Sequence, residues 1–398
     1  MSGLPIKAPP GGKVRSAEMI IEGKKNMSTI IQAPAAQLSV GDTNPLSLQG
    51  KGVIGLLETS GSYNIERYPW AYNAWKRQQQ IHWMGEEVPL GEDIKDWGGT
   101  RLAESERNLL TQIFRFFTQS DIEVSDNYFK RYIPIFQPLE IQMMMAAFTN
   151  METVHIDAYA LLLKTLGMPN TEFSAFRQYS SMRAKADYMH SFGTNTCADV
   201  ARTLAMFGAF TEGMSLFASF AMLMNFPRFN KMKGMGQIVS WSVRDESLHC
   251  ESVIRLYHEW EQETGSVTKS VGDDIIDVGK TMVGLEDKFI ELAFEMGDIQ
   301  GMTPGDIQSY IRYICDWRLT QLKLTPQYGY FTGTNGEYQQ AKEHPLPWLT
   351  AMLNGVEHAN FFEARATEYS KAATKGDWHG DGGVWAAFDS MKAKKDAA

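Results

Sequence analysis

Two short runs, METVHIDAY (Met151 to Tyr159) and RDESLH (Arg244 to His249), decide how this chain is read. Each contains Glu-x-x-His: Glu152 with His155, and Glu246 with His249. Residues three apart share a helix face, and both runs lie in long stretches of helical periodicity. Each pair therefore offers one carboxylate oxygen and one imidazole nitrogen to a single point. A lone Glu-x-x-His is usually a surface pair, but two in apolar surroundings point inward. Two such pairs facing each other, with one carboxylate from each of two further helices, form the dinuclear site of a ferritin-like bundle. The further carboxylates are Asp121, in FFTQSD, and Glu212, in the nearly all-apolar run from Thr203 to Phe226. A carboxylate in such a run is costly unless paired or metal-bound. Four carboxylates and two neutral imidazoles balance two divalent cations, and hard oxygens with one imidazole per metal suit iron or manganese. Cys250 follows His249 directly, so its side chain points about a hundred degrees away from that face.

The rest of the chain sets the bounds. It has 398 residues, 43% of them hydrophobic, and a formal net charge of −9 without a long basic run, which argues against nucleic acid as a direct partner. Three scattered cysteines make no disulfide framework and fit a reducing, cytoplasmic setting. The N-terminus lacks the apolar core of a signal peptide. Thr203 to Phe226 is long enough to cross a bilayer, but Glu212 within it and the absence of a second span favour a buried central helix and no membrane. Residues 1–64 read as a loosely ordered arm, 65–370 as an all-α domain, and 371–398 as a flexible tail. The aromatic-rich stretch 66–97 is expected to pack across the surface of the main domain. Helices are expected over 103–130, 137–166, 171–188, 194–225, 235–263, 271–298 and 304–324, and a strand signal is confined to the neighbourhood of Tyr328 to Thr332.

Tyr159 follows Glu152 and His155 at i+7, along one stripe of one helix. Its phenol is thereby placed near the metal bound by His155, where it can be oxidised to a radical. Leu216 and Phe220 lie four and eight positions after Glu212, on roughly the same face, and can line a dry pocket around it. Asp245 is placed to accept a hydrogen bond from His155, the usual support of a metal-bound imidazole; a local ion pair with Arg244 is the alternative.

METVHIDAY, RDESLH, FFTQSD and TEGMSLFASF (Thr211 to Phe220) together resemble the radical-generating small (beta) subunit of class I ribonucleotide reductase, over roughly residues 65 to 370. The resemblance implies a ferritin-like fold, a homodimer and a large (alpha) subunit partner that binds the ribonucleotide. It implies that Asp121, Glu152 and His155 hold one metal, and Glu212, Glu246 and His249 the other, with some carboxylates bridging. A di-iron centre, with manganese as the alternative, would use O2 to make a stable radical on Tyr159. Trp83, in IHWMGEEVPL, matches the family's near-surface tryptophan, and the resemblance implies an inner relay of Trp83, Asp245 and His155. Tyr369, the last tyrosine, is the candidate outer relay, with Trp378 and Trp385 as alternatives. The N-terminal stretch is too short and Gly/Pro-rich for a fused nucleotide-binding regulatory domain. A monooxygenase with its own apolar substrate, and a metal-storage protein, are the competing functions on the same fold.

Overall fold

A computed structural model describes residues 55–62 and 67–353 of the chain. Most of the proposed N-terminal arm, and Tyr369, Trp378 and Trp385 with the tail, lie outside these residues. The described part is helical: α1 (Pro69–Gln80), α2 (Gly91–Gly98), α3 (Glu104–Asn127), α4 (Leu139–Thr165), α5 (Ser180–His190), α6 (Cys197–Arg228), α7 (Lys233–Thr264), α8 (Lys269–Ala293) and α9 (Pro304–Gln321). One antiparallel hairpin follows, β1 (Phe331–Thr334) and β2 (Glu337–Gln340), in the register Phe331↔Gln340 to Thr334↔Glu337. Its turn is Asn335-Gly336, both at positive φ, the combination that matches the twist of paired strands. The bundle is all-α and ferritin-like.

The core lies between α3, α4, α6 and α7. Helix α3 packs on α4, and α7 packs on both α6 and α4. Helix α6 is long and apolar enough to span a membrane, yet its most apolar window is entirely buried inside the protein. Helices α7, α8 and α9 cover it. This is the buried central helix that Glu212 argued for.

Local chemistry fixes several boundaries. Thr303 Oγ1 accepts the Asp306 amide, and Asp306 returns the bond to the Thr303 amide at 2.8 Å, a capping box that starts α9. The start of α7 is capped from outside. Asp93 accepts the amides of Gly234 and Met235 at 2.8 Å each, and Asp96 accepts that of Met232 at 2.8 Å. Both acids are buried, so the short helix α2 holds the entry of the helix that carries Glu246 and His249.

Three expectations change. The stretch 66–97 does not merely cross the surface: α1 packs on α4 and buries Ala71, Ala74 and Gln78, and Trp83 is 3% exposed. The expected helix 171–188 is broken, because extended backbone at Tyr179 separates a 3-10 stretch, Asn170–Gln178, from α5. Two helices also widen into π-helical turns, at Tyr128–Tyr132 directly after α3 and at Ala205–Ser215 inside α6. Thr211 Oγ1 donates to Met206 O at 3.1 Å within the second. Each extra residue per turn shifts the face that follows, and such segments often mark functional sites.

The π segment of α6 is seated through Gly213. A Cβ there would lie 2.5 Å from Cys250 Sγ and 2.7 Å from Arg318 Nε, and Arg318 Nε already donates to Gly213 O at 2.8 Å. Gly213→Ala is therefore expected to destabilise the fold by roughly 1–3 kcal/mol through overpacking. Thermal or urea unfolding measures this, and an unchanged midpoint would show that α6 can move aside.

Candidate metal centre

Six side chains from four elements converge at the centre of the bundle. Asp121 comes from α3, Glu152 and His155 from α4, Glu212 from the π segment of α6, and Glu246 and His249 from α7. All are at most 3% exposed. Ligand atoms of Glu152, Glu212, Glu246 and His249 lie within 4.8 Å of one another. His155 joins them through Nδ1, at 3.2 Å from Glu246 Oε1 and 3.5 Å from Glu152 Oε2. His249 Nδ1 lies 3.1 Å from Glu152 Oε1, 3.5 Å from Glu246 Oε2 and 3.9 Å from Glu212 Oε1. Glu152 and Glu246 thus each face both imidazoles, whereas Glu212 faces only His249. Asp121 stands at the edge, interacting electrostatically with Glu152, His155 and Glu246.

The two imidazoles are oriented alike. Each turns Nδ1 inward and ties Nε2 to a partner outside the cluster: His155 to Asp245 Oδ2 at 3.2 Å, His249 to Gln78 Oε1 at 3.1 Å. Anchoring the far nitrogen fixes ring orientation and leaves the near one as a ligand. Gln78 also donates to Asp245 Oδ1 at 3.3 Å, and Trp83 Nε1 donates to Asp245 Oδ2 at 2.7 Å. One buried carboxylate therefore joins Trp83, His155 and Gln78. Arg244 approaches Asp245 Oδ1 at 3.6 Å as well, so both readings of Asp245 hold together.

The donor set fits a pair of metal ions. Buried polar atoms almost always find a hydrogen-bond partner. Here Asp121 Oδ2, both Glu152 oxygens, Glu246 Oε2 and His249 Nδ1 have none, although oppositely charged atoms are close. The Glu152, Glu246 and His249 atoms converge on one point, as ligands of a shared cation do. Cys250 Sγ lies against Gly213, outside the cluster.

Electrostatics without cations reports the same crowding. Burial raises Asp121 well above the carboxylate range, with the Glu152 charge adding to it. Burial also raises Glu212, with Glu246 adding. Burial would raise Glu152 too, but its contacts with His155 and His249 hold it down, at about 2. Burial would lower both imidazoles. Asp245, Glu152 and Glu246 outweigh it at His155 and raise that ring well above its usual value. Glu152 and Glu246 push His249 up to about 10.

Tyr159 is buried beside this cluster. Its hydroxyl lies 3.3 Å from Ser242 Oγ, and Ser242 in turn donates to Ile238 O at 3.1 Å. Its ring sits 4.8 Å from that of Phe117, and Phe117 sits 5.7 Å from Phe220. Leu216 is buried one turn before Phe220 on α6. Burial raises the Tyr159 phenol well above its ordinary value, so the hydroxyl keeps its proton at neutral pH.

Four residues of the site were not singled out in the sequence: Gln78, Phe117, Ser242 and Tyr128. Tyr128 donates to Glu212 Oε1 at 2.8 Å and Oε2 at 3.1 Å. It follows Asp121 by seven positions, the same offset that drew attention to Tyr159 after Glu152. Phe117 and Ser242 each precede a ligand, Asp121 and Glu246, by four positions, so helical spacing signals both. Gln78 carries no such signal, because α1 bears none of the six residues.

A helical bundle with a buried Glu/His cluster of this kind defines a ferritin-like protein with a candidate dinuclear metal site. The chain belongs to the family "Ribonucleotide reductase, small chain", whose model matches residues 62–333. It is 38% identical over 361 residues to a protein named as probable ribonucleoside-diphosphate reductase small subunit from Invertebrate iridescent virus 6, covering 82% of this chain and 98% of that one. It is 25% identical over 352 residues to the ribonucleoside-diphosphate reductase subunit beta of Chlamydia pneumoniae, covering 85% and 98%. Among solved structures, the ribonucleotide reductase R2 subunit of Clostridium botulinum superposes with a TM-score of 0.66 at 21% identity, over 74% of this chain and 91% of that one. The dimanganese(II)-NrdF of Streptococcus sanguinis superposes at 0.58 with 18% identity, over 68% and 94%. The chain is thus a small subunit of ribonucleoside-diphosphate reductase, an oxidoreductase component whose family implies a large-subunit partner.

Metal uptake should be pH-dependent. The imidazoles, raised above their usual range, are protonated at neutral pH in the metal-free protein, and a metal must displace those protons. Raising the pH removes the competitor, so affinity rises with pH and loading releases protons. Calorimetry in buffers of different ionisation enthalpy counts them; loading without proton release would contradict the charge state described here.

Proposed function

We propose that Asp121, Glu152, His155, Glu212, Glu246 and His249 hold two metal ions and that Tyr159 carries the stable radical delivered to the large subunit for ribonucleotide reduction. The observation that carries this reading is the placement of Tyr159: a buried phenol on the helix that bears Glu152 and His155, with the Phe117 ring 4.8 Å away. Metal ions held there would supply one-electron oxidation with O2 as the oxidant. Iron is the proposed metal and manganese the alternative, because oxygen and imidazole ligands suit both.

The chain's own contribution is geometric. Glu152 and Glu246 face both imidazoles, so each would serve both halves of the centre. Asp245 and Gln78 hold the rings in one orientation. Phe117, Leu216 and Phe220 keep water from Tyr159, which protects an oxidised phenol from quenching. The Tyr159 O–H proton is directed at Ser242 Oγ.

Export of the oxidising equivalent runs through Trp83. Its indole N–H is held by Asp245 Oδ2, the same oxygen that His155 Nε2 contacts. The Trp83 ring also stands 5.9 Å from His155 and 5.1 Å from Trp241. A carboxylate at the indole nitrogen can hold the proton that an oxidised tryptophan releases, so Trp83, Asp245 and His155 form one relay. The outer step falls to Tyr369, with Trp378 or Trp385 as alternatives, all beyond the described residues. The chain would act as a homodimer in the cytoplasm.

Two variants separate storage of the radical from its export. Tyr159→Phe is expected to bind two metal equivalents and give no stable tyrosyl signal in low-temperature electron paramagnetic resonance after exposure to air; full activity with the large subunit would reject the assignment. Trp83→Phe is expected to keep the radical signal while turnover with the large subunit falls to background. Normal turnover would remove Trp83 from the relay.

A further inference from the structure

The two ends of the metal centre are built differently, and the difference lies in Tyr128. At the Asp121 end, the only hydrogen bond to the carboxylate among the described residues comes from the neighbouring Ser120, to Oδ1 at 3.2 Å, and Oδ2 is left without one. At the Glu212 end, a phenol from another segment donates to both oxygens, at 2.8 and 3.1 Å. Tyr128 is 1% exposed, and its ring meets His249 edge-on at 6.3 Å and Phe148 at 6.1 Å. It therefore touches both side chains that distinguish this end of the centre.

Its position is itself constrained. Tyr128 opens the π-helical turn after α3, and Tyr132 closes it. Tyr132 donates to Thr203 O on α6 at 3.0 Å, and the two tyrosine rings pack edge to face at 5.7 Å. The turn is thus tied to α6 at two points: once to the backbone of its first segment, and once to Glu212 in its π segment.

Glu212 needs such a tie. Without cations it faces the carboxylates of Glu246 and Glu152, whose charges oppose its own. A carboxylate free to rotate would swing away from them, and the end of the site it builds would then have to reassemble on each loading. A hydrogen bond to a charged group is among the stronger ones available in a protein interior.

We infer that Tyr128 is a positioning residue that pre-forms the Glu212–His249 half of the centre, making it a metal position distinct in affinity from the Asp121–His155 half. This rests on the dinuclear reading proposed above. Tyr128 has no direct role in binding the ion; its hydrogen bond acts through Glu212.

The test is anaerobic titration of the metal-free, full-length protein with Mn(II), the unbound ion being read by its own paramagnetic resonance signal. Wild-type protein is expected to take up two equivalents. In Tyr128→Phe the tighter equivalent weakens by on the order of tenfold or more, the worth of a buried bond to a charged group, and the other keeps its affinity. In an Asp121→Ala background, where the other half is crippled, Tyr128→Phe weakens the remaining equivalent. In a His249→Ala background it changes nothing. Equal weakening of both equivalents, no weakening, or the same loss in the His249→Ala background would overturn the inference while leaving the metal centre standing. A wild-type protein that binds fewer than two equivalents would overturn the dinuclear reading and the inference with it.

Discussion

The structure depends on keeping four carboxylates and two imidazoles out of water at one point. Moving even one ion into a low-dielectric interior costs roughly several kcal/mol after relaxation, and like charges this close add repulsion. The raised Asp121 and Glu212 express that stress in the absence of cations, and the imidazoles are raised against burial by the carboxylates that surround them. Two divalent ions would relieve it. The arrangement is unfavourable as a folding device and sensible as a binding site, which is why its unpartnered atoms argue for metal more strongly than its residue types alone.

Much of the surrounding architecture keeps this cluster fixed. The buried acids Asp93 and Asp96 cap α7 from α2. Gly213 lets the π segment of α6 lie directly against Cys250 and Arg318. Asp245 and Gln78 hold the outer nitrogens of the two imidazoles. Close packing of this kind transmits small displacements, so residues that touch no ligand still set where ligand atoms point. The same Asp245 oxygen that orients His155 also holds Trp83. The scaffold of the centre and the proposed exit for its oxidising equivalent are therefore one hydrogen-bonded unit.

The sequence revealed those parts of this plan that follow helical periodicity. Glu152 and His155, and Glu246 and His249, share faces because three residues nearly complete a turn. Glu212 stood out as a lone acid in an apolar run. Tyr159 followed from its i+7 offset. The less visible parts depend on tertiary contacts. The π turns at Tyr128–Tyr132 and Ala205–Ser215 have no spacing of their own to announce them; they form where one helix must meet another. Gln78 reaches the site because α1 packs on α4, and an aromatic-rich segment with a polar glutamine reads equally well as surface. Tyr179 breaks the expected helix through extended backbone that composition did not disclose. Tyr128 is intermediate: its offset from Asp121 was legible, but its contact with Glu212 depends on how α3 and α6 meet.

Whether the cluster holds a pair of metal ions is decided by anomalous X-ray diffraction from crystals of metal-loaded protein. Data collected at the iron and manganese absorption edges should show two peaks, both flanked by Glu152 and Glu246, one beside His155 and Asp121 and the other beside His249 and Glu212. The same data would identify the element in each. A single peak, or peaks away from these six side chains, would show that the six residues do not hold a metal pair.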